Sequence, residues 1–189
     1  MKKRVKKGCY GYIDYQKKAT IIRTVLFFAL SLGLYGIGIY STGSNKNLLT
    51  IVAVLGLLPS CKSAINMVMF LKAKGCSEEA KEKIAPFDDK LTGFYDMYFT
   101  SYQKNFPISH MILKGNIVSA YTEDAKCDCN AGEKHLEQML LQDGYKNMTV
   151  KIFNQIGKYT DRLSQLIELD AEENKNKDGM IQMFYSISL

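Results

Sequence analysis

The stretch Thr24–Tyr40, TVLFFALSLGLYGIGIY, followed after only seven residues by Leu48–Ser60, LLTIVAVLGLLPS, decides how this chain is read. Neither run contains a charged residue, and the connector STGSNKN (41–47) has the small polar residues of a tight turn. A bilayer core about 30 Å thick takes roughly 17–25 apolar residues in a helix, so the pair reads as a transmembrane helical hairpin with spans at about 24–40 and 48–61. The first run also follows a basic stretch, as a signal peptide does. Its core of about 17 residues is longer than the usual h-region of about 7–15, so an uncleaved anchor is expected.

Charge is divided unequally on either side of this hairpin. Residues 1–75 carry 12 Lys and Arg against one acid, Asp14, whereas residues 76–189 carry 13 against 18. Eight of the basic residues precede the first span, the loop has Lys46 alone, and Lys62, Lys72 and Lys74 follow. By the positive-inside rule both termini belong on the cytosolic side, giving a multi-pass protein of a bacterial-type inner membrane with an anionic inner leaflet as one partner. The larger domain is net negative and would repel phosphate, which argues against nucleic acid as a partner. Five cysteines, an odd number without framework spacing, suit a reducing compartment.

The second apolar stretch continues through SAINMVMFL to Leu71, 24 residues from Leu48, or about 36 Å of helix. Folding the hairpin about residue 44 brings Arg23 level with residue 65, so Arg23 and Lys62 are expected to mark one cytosolic boundary, with Lys62 snorkelling. Below that boundary a helical stalk should run through residues 10–22 and 63–74, ended by Gly75. Small residues at four-residue spacing, Ala29 and Gly33 on one helix and Gly56, Ser60 and Ala64 on the other, are the expected points of close approach.

Beyond the stalk the pattern is that of a small mixed domain. Ser77-Glu78-Glu79 signals an N-cap for a helix ending before Pro86. LTGFYDMYFTSYQ, FPISHMILK and IVSAYTED read as three strands, with Gly115-Asn116 as a hairpin turn. Asn130 with Glu133 forms a capping-box pattern for a helix closed by Asp143-Gly144. MTVKIFN (148–154) is a fourth strand, and Ile156, Tyr159, Leu163, Leu166 and Leu169 make an amphipathic helix. AEENKNKDG (171–179) is a polar loop and MIQMFYSIS (180–188) a last strand. The expected architecture is an α+β or α/β cytosolic domain (76–189, order α-β-β-β-α-β-α-β) on a helical hairpin (10–75), after a basic N-terminus (1–9).

Candidate chemistry is sparse. Cys127, Cys129 and His135 supply two thiolates and an imidazole, all zinc ligands, but a structural site needs a fourth ligand and wider cysteine spacing. His110 and His135 are the only histidines, expected at a half-exposed strand position and at a helix boundary. Around Phe94-Tyr95, Tyr98-Phe99, Tyr102 and Phe106 the only Lys or Arg residues are Lys90 and Lys104, so the run reads as core packing, with a protein-binding face as the alternative. No glycine-rich phosphate loop is present and no cofactor is expected.

Asp124-Ala-Lys126, at the end of the third expected strand, has an acid and a lysine two residues apart. With the helix, three strands, helix and strand of residues 77–154 in that order, the chain resembles the PD-(D/E)xK nuclease-like fold. The resemblance implies metal-dependent hydrolysis, with Asp124 as a metal ligand, Lys126 orienting water and a second acid from the preceding strand. Residues 107–113 hold no acid, and Asp96, one strand earlier, is the substitute. The sequence therefore points first to a membrane-anchored interaction or scaffold module for a protein partner or self-association. A membrane-tethered nuclease, or an inactive relative of that fold, is the alternative. A third reading, the hairpin as part of a pore, requires Lys62 at mid-span.

Overall fold

The computed structural model describes residues 4–101, 104–169 and 176–189. Lys2, Lys3, the Tyr102–Gln103 end of the first expected strand and most of the polar loop at 171–179 lie outside them. Two compact units result: Ile13–Ala73, and a second unit made of Met1–Tyr12 with Lys74–Leu189.

The first unit is a hairpin of two long helices, α1 (Tyr12–Thr42) and α2 (Leu48–Lys72). Asn47 caps α2 by accepting from the Thr50 N–H, and its amide also donates to Thr42 Oγ1, which pins the turn. Three contacts define an antiparallel register. Thr24 Oγ1 and Ser63 Oγ share a buried 2.8 Å hydrogen bond, a Cβ on Gly56 would meet Ser31 Oγ at 2.8 Å, and one on Gly38 would meet Leu49 Cβ at 3.0 Å. Each pair is seven residues from the next on both helices, so the seam follows the alternating three-and-four spacing of a heptad. Gly56 and Ser60 lie on it as expected; Ala29 and Gly33 face outward and are exposed, because each is two residues from Ser31 of the seam, about 200° around the helix. Pro59 sits inside α2 on its exposed side.

The second unit is a four-stranded sheet between two helix layers. Strands β1 (Thr92–Thr100), β2 (Asn105–Lys114), β3 (Ile117–Tyr121) and β4 (Thr149–Phe153) lie in the order β1-β2-β3-β4. The first three form an antiparallel meander and β4 pairs parallel to β3 through α4 (Cys129–Gln142). On one face, α4 and α6 (Lys177–Ile187) contribute Leu136, Leu140, Met180, Met183 and Phe184 to a core with Phe99, Phe106, Ile108 and Val118. On the other, α3 (Glu78–Asp88) and α5 (Ile156–Glu168) bring Ala80, Ile84, Tyr159, Leu163 and Leu166 against Tyr95, Ile112 and Tyr121.

Three expectations need correction. The C-terminal MIQMFYSIS is helix α6, not a strand: its apolar Met180, Met183 and Phe184 fall at i, i+3 and i+4 and are buried, and only Ser188 bridges to Phe99. Helix α3 runs past Pro86 to Asp88, since a proline this near the end costs only the bond to the exposed Glu82. The N-cap of α4 is Asp128, which accepts from the Ala131 N–H, rather than Asn130.

Both sheet edges are occupied. The Tyr95 N–H on β1 donates to Gly8 O, and the Leu189 N–H donates to Tyr98 O. On β4, the Val150 and Ile152 N–H groups donate to Glu137 and Glu133 of α4. Glu133, expected as half of a capping box, is instead a lid on an edge strand. Closed edges of this kind suppress strand addition by other chains.

Candidate functional site

Under α3 and α5 the sheet carries a buried polar chain that links four side chains. Tyr159 OH lies 2.7 Å from His110 Nδ1, His110 Nε2 faces Asp88 Oδ1 at 3.6 Å, and Tyr95 OH donates to Asp88 Oδ2 at 2.7 Å. Tyr159 and His110 are 0% and 1% exposed. His110 was expected to be half-exposed; it is buried because helices cover both faces of the sheet, and it lies under α3 and α5 because β1 and β2 both change face at this point. Phe94, then Met97 and Phe99, lie in one core, as do Phe106 and Ile108, then Met111 and Leu113. The one-residue shift falls at Asp96, whose φ of 56° places a non-glycine residue in the left-handed region within a strand.

Burial governs the chemistry of this cluster. It lowers the His110 pKa to about 3 and raises that of Tyr159 well above the usual phenol range, so both are neutral at physiological pH. Placing the ring proton on Nε2, toward the Asp88 carboxylate, lets the Tyr159 hydroxyl donate to Nδ1. At 3.6 Å the Nε2 contact with Asp88 is too long for a hydrogen bond, and Nε2 is one of the buried polar atoms left without a partner. Gly93 explains the fit: a Cβ there would stand 2.6 Å from Nε2. A neutral histidine sealed between tyrosines has no route to a substrate and serves as an internal strut.

Nearby, Asp96 is 3% exposed and its Oδ1 accepts from the Cys76 N–H at 2.7 Å. The carboxylate of Glu123 takes both the N–H and the hydroxyl of Ser77, the N-cap of α3. The Cys76 thiol is pushed up to about 12 by burial and by the Glu123, Asp96 and Asp88 charges, which leaves it a thiol and not a nucleophile.

The residues singled out in the sequence are dispersed. β3 ends at Tyr121, so Asp124 and Lys126 lie in the following turn, where the Asp124 carboxylate accepts from the Lys126 N–H at 2.9 Å and both side chains are exposed. Asp96 faces the Gly75–Cys76 loop. Cys127 and Cys129 are half-buried; burial first, then the Cys129 sulfur, raises Cys127 to about 11. His135 packs its ring 5.5 Å from Phe106. Among the described residues no group of three or more His, Cys, Asp or Glu is placed to hold a metal ion. Arg23 and Lys62 are both exposed, next to the Thr24–Ser63 bond that joins the helices.

Sequence reasoning missed Asp88, Gly93, Tyr95 and Tyr159 as one group. The available signal was Gly93 inside a β-branched and aromatic run, since a strand glycine marks a close approach. No protein-family model, curated protein or solved structure matches this chain.

Proposed function

We propose that the chain is a membrane-anchored interaction module, with the hairpin in the bilayer and the sheet unit at its surface as the binding domain for a partner protein or a second copy. The observation that carries this reading is the inverted hairpin. Its seam is lined by Thr20, Thr24, Ser31, Ala53, Ser60 and Ser63, while Leu26, Leu30, Ile37, Ile51, Leu55 and Leu58 are all more than half exposed. Water would penalise that outer surface at about 25 cal/mol per Å², whereas lipid does not. Both helices have the length and hydropathy of a membrane span.

We assign both termini to the cytosolic side of an inner membrane on the excess of Lys and Arg flanking the spans. The interaction reading is favoured over hydrolysis by what the acids do: Asp96 and Asp124 are each engaged with a backbone N–H. The nuclease-like order of elements is present without a convergent set of carboxylates. Leu141 and Leu169 are the sole large apolar residues exposed in the sheet unit among the described residues, so a partner would meet a polar surface.

Two experiments test this. Alkaline carbonate extraction should leave the full chain in the membrane pellet, and release into the supernatant would end the anchoring reading. Affinity purification from crosslinked membranes should then recover a defined partner or a homo-oligomer; a strictly monomeric chain with no partner would end the interaction reading. Sidedness is best read at Cys9, which is exposed, in a chain whose other cysteines are replaced by serine. Membrane-impermeant thiol reagents should miss it in intact cells and label it after permeabilisation.

A further inference from the structure

We infer that Arg23 and Lys62 together form a binding site for the phosphate of an anionic phospholipid, on one face of the hairpin just inside the cytosolic end of its apolar belt. The inference rests on the membrane reading above and deepens it.

Register brings the two cations together. Thr24 and Ser63 share a hydrogen bond across the seam, so Arg23 and Lys62, each one residue earlier in the chain, differ in level by about 3 Å. Stepping back one residue rotates a position by about 100° about its helix axis. On antiparallel helices the two rotations have opposite sense in space and start from opposite directions, so both end on the same face. Helix axes about 8–10 Å apart leave these long side chains able to converge on one oxyanion, and both are exposed.

Their surroundings make solvation by water alone insufficient. Ile21 and Ile22 on α1, and Ile65, Val68 and Leu71 on α2, are exposed on the cytosolic side of the pair. The exposed apolar belt therefore continues past Arg23 and Lys62. From Ile21 to Tyr40 it measures about 30 Å, the thickness of a bilayer core. A cation inside that belt is costly unless it meets a counter-charge at the interface. The hairpin unit supplies none there: Asp14 is the lone acid between residues 13 and 73, it lies nine residues below Arg23, and Lys17 engages it at 3.1 Å. A lipid phosphate is the anion that resides at this depth, and a guanidinium and an ammonium on one face suit it.

The test uses full-length chain in detergent, with retained lipid measured by native mass spectrometry against added phosphatidylglycerol, phosphatidylcholine or inorganic phosphate. The wild-type chain should retain phosphatidylglycerol selectively and show no gain with inorganic phosphate. The pair Arg23→Gln with Lys62→Gln should weaken that retention about tenfold, and the pair Lys72→Gln with Lys74→Gln less than about twofold. Arg23→Lys with Lys62→Arg should restore most of it. Equal losses from the two glutamine pairs would mean a diffuse basic collar, and unchanged retention in the first pair would mean no site; either overturns the inference. Carbonate extraction of the same variants separates this failure from that of the anchor: a chain retained in the pellet but indifferent to Arg23 and Lys62 loses the site and keeps the anchor.

Discussion

The hairpin and the sheet unit bury opposite kinds of side chain. From Thr20 to Ser31 on α1 and from Ala53 to Ser63 on α2 the buried residues are hydroxyl-bearing or small, with Thr24 bonded to Ser63 and Gly56 against Ser31. The outside is leucine, isoleucine and valine, and large apolar Ile13 and Phe70 are buried only toward the hairpin's open end. In the sheet unit Phe99, Phe106, Met111, Leu136 and Phe184 are inside; of the buried polar residues there, Asp96 accepts from the Cys76 N–H and His110 Nδ1 meets Tyr159 OH, while Ser119 Oγ has no hydrogen-bond partner. On the membrane reading proposed above, each part is folded for a different solvent: water drives apolar groups inward in the sheet unit, and packing with hydrogen bonding joins the hairpin's helices where lipid would give no such drive.

The largest test of that contrast is a charge on the outer face of each part. Leu30→Asp, near the middle of the apolar belt, should cost roughly 3 kcal/mol of insertion and move the chain out of the carbonate-resistant fraction. Leu141→Asp, at similar exposure on α4, should change unfolding stability by no more than about 0.5 kcal/mol. Similar outcomes for the two would erase the distinction.

Glycines give the next contrast. Gly93→Ala should destabilise the sheet unit by about 1–3 kcal/mol, because the new methyl would meet His110 Nε2, and hydrogen exchange of β2 amides would report it. Gly33→Ala, which meets nothing within 4 Å on the hairpin's outer face, should leave stability unchanged or raise it by up to about 1 kcal/mol.

Acid should act on the sheet unit through His110. Its folded pKa of about 3 lies below the unfolded value, so the unfolded state binds the proton first, and stability falls as pH drops below about 6.5. The slope approaches about 1.4 kcal/mol per pH unit before flattening near the folded value. Asp88, raised by its own burial, acts with the opposite sign at lower pH. His110→Gln should remove the near-neutral part of the slope in denaturant titrations of the full chain in detergent. The smallest effect is expected at the sheet edge: Glu137→Ala frees the Val150 N–H and should cost about 1 kcal/mol, with increased concentration-dependent association as the edge opens.

Most helices and the four strands of the sheet were legible because their signals are local: apolar runs, Ser77 before two glutamates, Gly115 and Gly144 with positive φ. α6 was misread because its apolar spacing was taken for strand character, although Met180, Met183 and Phe184 follow a helical step. The polar cluster was illegible since strict alternation predicts one face for each strand residue, and Asp96 resets that alternation halfway along β1.

By itself the sequence determined the two apolar helices, their charge asymmetry and the order of elements as far as α5, because hydropathy, turn residues and caps act over a few neighbouring residues. Only the tertiary structure decided which partners those residues meet. Glu133 on β4, Asp96 on Cys76 and Tyr159 on His110 all join positions between 19 and 49 residues apart, and contacts at that separation depend on packing that no local pattern encodes.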